Sequence, residues 1–127
     1  MPHRLNLATA ASGVIVIDDT FNSNPAGTRA ALGLLASAGT GRRVVVTPGM
    51  VELGARQDHE NRDFAAASLE VASDLIVVGQ TNRAALTLDG ARTVTVKTRE
   101  EAVAWVRQHL SSGDAVLYEN DLPDHYP

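Results

Sequence analysis

The sequence predicts a three-layer α/β domain built on a mostly parallel sheet of about six strands, and three observations carry that reading. Short runs rich in β-branched residues, at 14–17, 43–47, 75–78, 93–96 and 115–118, alternate with stretches of helical periodicity. The first of these runs, V-I-V-I, is apolar on both faces, as a strand covered by helices on either side must be. Polar or glycine-bearing loops follow the carboxyl ends of the runs, which is where open α/β sheets bind ligands.

Each element has its own signal. Residues 1–12 open with Pro2, His3 and Arg4 and then alternate Leu5, Asn6, Leu7 and Ala8, a period-2 pattern that predicts a short strand turning back at Ser12-Gly13. The stretch V-I-V-I-D-D-T-F-N-S-N-P, residues 14–25, reads as a core strand that ends in two carboxylates and a polar loop. Asn24 then serves as N-cap and Pro25 as the first helical residue. From Pro25 to about Ala38 the helix carries Ala31, Leu34, Leu35 and Ala38 on one face, and it stops at Gly39.

The run 43–47 is a second core strand; Pro48-Gly49 ends it and opens the loop P-G-M-V-E-L-G, which closes at Gly54. Between about 57 and 72, Phe64, Ala65, Ser68, Leu69 and Ala72 form a stripe of mostly small residues, which lets a helix approach a sheet closely. The strand at 75–78, Gly79, a short helix over 82–88 and the strand at 93–96 follow. Thr98 and Glu101 form a capping box for a helix that turns Val103, Val106 and Leu110 inward and ends at Ser111-Ser112-Gly113. After the last strand, 115–118, the tail E-N-D-L-P-D-H-Y-P leaves at the same edge of the sheet as the loops after the first two core strands.

At 127 residues the chain is expected to be a single domain over 1–127, large enough for a real core but short for an ATP-using enzyme with several substrates. Its net charge of −4 and scattered basic residues offer no field for nucleic acid. The absence of cysteine removes disulfides and thiolate metal sites and fits a reducing compartment. No signal-like segment or membrane-length apolar run is present, so a cytoplasmic protein without a membrane partner is expected.

The chemistry gathers at the strand ends. Asp18 and Asp19 point to opposite faces, so one is expected to face the crevice while the other braces the loop. Ordinary turn aspartates would satisfy the same pattern, but the continuation T-F-N-S-N favours a site that holds ribose hydroxyls, a magnesium ion or an ammonium group. His59 with Asp63, and Asp121 with Asp124 and His125, have metal-compatible spacing but lack third and fourth partners, so no metal is assigned. Trp105 lies off the apolar face of its helix, at a boundary, with core packing as its expected role. The chain has no G-x-x-x-x-G-K-[ST], G-x-G-x-x-G or G-x-S-x-G, so it is expected to catalyse nothing alone.

The stretches I-D-D-T-F-N-S-N-P-A-G-T-R-A-A-L and G-R-R-V-V-V-T-P-G-M-V-E-L-G resemble the carboxyl-terminal domain of the Mur ligases, closest to the type that adds D-alanyl-D-alanine to a UDP-muramoyl tripeptide. The resemblance covers nearly the whole chain. It implies a Rossmann-like third domain of a longer ligase of peptidoglycan precursor synthesis. In that family the third domain closes over ATP and Mg2+ held mainly by a central P-loop domain, beside an amino-terminal domain for the UDP substrate. The reaction passes through an acyl phosphate that an amino acid or dipeptide amine attacks.

Residue by residue, the resemblance makes Arg4 a candidate for phosphate contact and sets Asp19 on the nucleotide side of the cleft. Asn22, Ser23 and Asn24 form the polar loop between nucleotide and acceptor, and Met50 and Glu52 belong to the loop matching G-D-M-x-E-L-G. Three positions depart from the pattern. Phe21 stands in place of tyrosine, Pro48-Gly49 in place of Gly-Asp, and Glu119-Asn120-Asp121-Leu122-Pro123-Asp124 where a basic K-G-S-R stretch is usual. Two other readings stand beside this one. A free-standing nucleotide- or amino-acid-binding module would show no P-loop in its parent reading frame. A phosphoacceptor receiver would need an aspartate after the third core strand, where L-I-V-V-G-Q has none.

Overall fold

A computed structural model describes residues 4–20 and 25–119, apart from the side chains at 4, 5 and 20. Six strands form one sheet: β1 (Arg4–Thr9), β2 (Ile15–Thr20), β3 (Arg43–Thr47), β4 (Asp74–Val78), β5 (Thr93–Val96) and β6 (Ala115–Glu119). Their order across the sheet is β1-β2-β6-β3-β4-β5. Only β1 runs antiparallel to its neighbour, as the hairpin arm of β2; the other pairings are parallel. The last strand in sequence therefore lies between β2 and β3, and five of its residues are buried.

Among the described residues four α-helices cover the sheet: α1 (Pro25–Ala36), α2 (Gln57–Val71), α3 (Arg83–Leu86) and α4 (Arg99–His109). Strand alternation splits the core in two. On one face Ile17, Val45, Leu75, Val77 and Leu117 pack with Ala31 and Leu35 of α1, Phe64 and Ala65 of α2 and Leu86 of α3. On the other face Val44, Val46, Ile76, Val116 and Tyr118 meet Ala102 and Val106 of α4 and the Leu110 that ends it. Both core faces and the capping box of Thr98 and Glu101 follow the sequence reading, and Gly39 closes α1's carboxyl end at φ +67°.

Two boundaries differ from expectation. Asp18 and Asp19 do not leave β2; the ladder continues through Asp18↔Tyr118 and Asp19↔Glu119 on one side and Asn6↔Asp18 and Leu5↔Asp19 on the other. Glu119, assigned from sequence to the tail, is the last residue of β6. In both cases hydrogen-bonded neighbours extend a strand past the end of its apolar run, because backbone pairing is indifferent to side-chain polarity.

Trp105 is half-buried against the α4-side core. Its ring stacks on His109 at 4.1 Å between centroids, and the Arg42 guanidinium lies 5.4 Å from the ring centre. Among the described residues no helix is long and apolar enough to cross a membrane.

Candidate functional site

The carboxyl ends of β2, β6 and β3 lie side by side, and on the α1 and α2 face they present Asp19, Glu119 and Thr47 as one polar row. All three side chains have no solvent exposure. Thr47 Oγ1 accepts the Gly49 amide at 2.9 Å and donates to Glu119 Oε1 at 2.5 Å. Glu119 Oε2 has no hydrogen-bond partner among the described residues. Burial pushes the Glu119 carboxyl up; the Thr47 hydrogen bond pulls against this and the Asp19 charge adds to it, leaving it at about 8. At neutral pH Glu119 is thus a neutral acid beside its register partner Asp19.

The next piece is the turn after β3. Its backbone is left-handed at Gly49 (φ +85°), Glu52 (φ +64°) and Gly54 (φ +60°). For Glu52, an exposed non-glycine residue, that conformation costs on the order of 1 kcal/mol. Two buried asparagines hold the turn. Asn61 of α2 accepts the Met50 amide at 2.8 Å and donates to the Met50 carbonyl at 3.0 Å. Asn82, just before α3, donates to the carbonyls of Pro48 at 3.0 Å and Met50 at 3.1 Å, and is itself held by Gln57 at 3.0 Å. A rigid crest thus overhangs the strand ends.

On the opposite face Asp18 is half-buried at the end of a cleft of about 410 Å³, between β2 and α4, whose walls include Val14, Val16, Arg99, Val106 and Tyr118. Among the described helices, α4 is the one packed on that side of the sheet. The Arg99 guanidinium lies 5.8 Å from the centre of the Tyr118 ring.

The sequence candidates divide accordingly. Asp19 stands in the polar row, and Asp18 faces the other way, toward the α4-side cleft. Glu52 is on the exposed crest, whereas Met50 turns its side chain into the core with 1% exposure, so only its backbone borders the turn. Arg4 begins β1, opposite Thr20 in the register. Pro2, His3, Phe21, Asn22, Ser23, Asn24, Asp121, Asp124 and His125 lie outside the described residues. His59 and Asp63 pair with each other at 3.2 Å on an exposed turn of α2. Among the described residues no group of three or more His, Asp or Glu is placed to hold a metal ion.

Thr47, Glu119, Asn61 and Asn82 were missed by sequence reasoning. A polar residue at the end of each apolar run was the only local sign of the first two. Nothing local marks the asparagines.

Comparison with known proteins agrees with this architecture. The UDP-N-acetylmuramoyl-tripeptide–D-alanyl-D-alanine ligase of Mycobacterium tuberculosis is 36% identical over 91% of this chain, a match spanning 28% of that enzyme. The UDP-N-acetylmuramoylalanine–D-glutamate ligase of Ralstonia nicotianae is 32% identical over 91% of this chain and 22% of its own length. The chain therefore spans about a quarter of the curated relatives it matches. The crystal structure of the MurF ligase of Thermotoga maritima in complex with ADP superposes with a TM-score of 0.80 at 21% identity, over 94% of this chain and 27% of that one. Residues 3–118 match the model of the Mur ligase, glutamate ligase domain, and the chain belongs to that family.

Proposed function

We propose that this domain is the carboxyl-terminal part of an ATP-dependent ligase that joins an amino acid or dipeptide to a UDP-muramoyl peptide, with D-alanyl-D-alanine as the favoured acceptor. The observation that carries the proposal is the family match over residues 3–118, combined with a polar row and a rigid crest at the edge of the sheet where such folds meet their ligands. The mycobacterial relative supports the dipeptide, and the Ralstonia relative makes D-glutamate the alternative.

The residues present fit a partial nucleotide contact and not a whole site. No glycine-rich loop supplies the run of backbone donors that a triphosphate requires. In our reading ATP and Mg2+ are held mainly by the central domain and the UDP substrate by the amino-terminal domain. Bound there, ATP supplies the phosphoryl group that activates a carboxylate for amide formation. This chain's part is to close over that site. Arg4 approaches the phosphates from the start of β1, Asp19 orients the nucleotide side, and Asn22, Ser23 and Asn24 border the acceptor. The crest from Met50 to Gly54 carries Glu52 and shields the reacting groups from water.

Two measurements test this. The parent protein, given ATP, should release ADP and phosphate with a UDP-muramoyl tripeptide and D-alanyl-D-alanine and far less with UDP-N-acetylmuramoylalanine and D-glutamate; the reverse preference moves the acceptor assignment. Calorimetry on the 127-residue chain should show only weak ATP binding, and sub-micromolar affinity would refute the view that the nucleotide site lies mainly in another domain.

A further inference from the structure

Among the described side chains Glu119 is buried without a countercharge. The described parts of the elements packed against β6 bring it no cation at that end: β2 contributes Asp18 and Asp19, β3 carries Arg43 at its opposite end, and the only charged residue of α1, Arg29, is exposed. The described hydrogen-bond partner of Glu119, Thr47 of β3, is uncharged and buried. An ionised Glu119 would therefore place a second negative charge beside Asp19 in a fully buried site, a costly arrangement that the neutral acid avoids.

Thr47 fixes this acid in place: its hydroxyl lies 2.5 Å from Glu119 Oε1 and accepts the Gly49 amide at 2.9 Å. Glu119 Oε2 has no hydrogen-bond partner among the described residues.

We propose that Glu119 is a positioning residue: clamped by Thr47 through Oε1 and held as the neutral acid, it leaves Asp19 the sole charge of the row, so that the crevice does not present two adjacent anions to a polyphosphate. This role rests on the ligase reading above. Glu119 touches no ligand. It acts through Asp19 and through the Thr47 clamp that ties the start of the crest at Gly49 to the end of β6.

The test has two arms. In the first, carboxyl-carbon NMR of the 127-residue chain should show one Glu carboxyl titrating far above the ordinary range, near pH 8. Glu119→Gln should remove that signal, and Asp19→Asn, which deletes the neighbouring charge while keeping the shape, should move it down. If every Glu titrates below pH 6, or if Asp19→Asn leaves the high signal where it was, the proposal is overturned.

In the second arm, the parent enzyme's KM for ATP should rise roughly three- to tenfold between pH 7 and pH 9, while Glu119→Gln, which cannot ionise, should lose that rise. An equal rise in Glu119→Gln overturns the role toward the polyphosphate. A parent without ligase activity would overturn the ligase reading instead, and the NMR titration tells that failure apart from a failure of the Asp19–Glu119 pair.

Discussion

Asn61 grips Met50 from both sides of its peptide backbone, accepting the amide at 2.8 Å and donating to the carbonyl at 3.0 Å, with both residues buried. One asparagine on α2 thereby does for the turn after β3 what a neighbouring strand does for a ladder residue. The turn can then project beyond the sheet without leaving orphaned backbone groups in the interior.

Asn61→Ala should accordingly lower the stability of the chain by about 2–4 kcal/mol, because it removes two buried hydrogen bonds and strands the Met50 amide, while the Met50 carbonyl keeps its bond from Asn82. Urea unfolding checks this. A loss under half a kcal/mol would mean that water or a rearranged Asn82 takes over the clamp.

Gly49 is the second fixed point. Its φ is +85°, and a Cβ there would lie 2.7 Å from Asn61 Oδ1 and 2.7 Å from Asn82 Nδ2, so Gly49→Ala meets both strain and collision with the clamp. We expect a loss of about 1–3 kcal/mol. Gly33 provides the control. It lies on the exposed side of α1 with nothing within 4 Å of an added Cβ, and Gly33→Ala should stabilise by about 0.5–1 kcal/mol. Thermal melts of the two variants should shift in opposite directions.

These contrasts show where the sequence is legible. The strands β3 and β5 and the capping box of α4 were readable to the residue, because β-branched runs, turn glycines and the Thr98–Glu101 spacing are local signals. The insertion of β6 between β2 and β3 was not. Pairing partners a hundred positions apart in the chain leave no local trace, so Glu119 reads as tail and Asp19 as leaving its strand, whereas the register sets them side by side. The burial of the Met50 side chain was not legible because a loop residue has no periodicity to announce it, and Asn61 resembles any solvent-facing polar residue on a helix.

Stability should depend on pH in a way that exposes Glu119. Its carboxyl lies at 4.5 when unperturbed and at about 8 in the folded chain, so the folded state holds its proton across a range where the unfolded chain has lost it. The stabilisation is complete below about pH 4.5 and is lost as pH rises toward 8, by a few kcal/mol in all. Two aspartates act at the other end. Burial alone would raise Asp74, but hydrogen bonds from Ser73 and Arg42 outweigh it and hold the carboxyl below its usual range; the Ser111 amide does the same for the half-buried Asp114. Their contributions are present above pH 3.8 and fade as pH falls below it. Maximum stability should therefore lie near pH 4–5, and Glu119→Gln should flatten the decline on the alkaline side. Denaturant midpoints collected from pH 3 to pH 9 on both proteins decide this, and an equal decline in the variant would assign the alkaline slope to another group.

Asp19→Asn in the parent enzyme separates the site from the fold. Asp19 is fully buried, so alanine would leave a void and confuse instability with lost chemistry, whereas asparagine keeps the volume and removes the charge. Removing a charge beside Glu119 also relieves the repulsion that raises the Glu119 carboxyl, so the folded domain should be at least as stable as the wild type near pH 8. If Asp19 orients the nucleotide in the closed enzyme, turnover should nevertheless fall roughly ten- to a hundredfold, equivalent to about 1.4–3 kcal/mol of lost transition-state stabilisation. Melting temperature and ADP release should be measured on the same preparation. Retained stability with lost turnover supports the role in the site; unchanged turnover would reduce Asp19 to a strand-end residue whose charge serves only to keep Glu119 protonated.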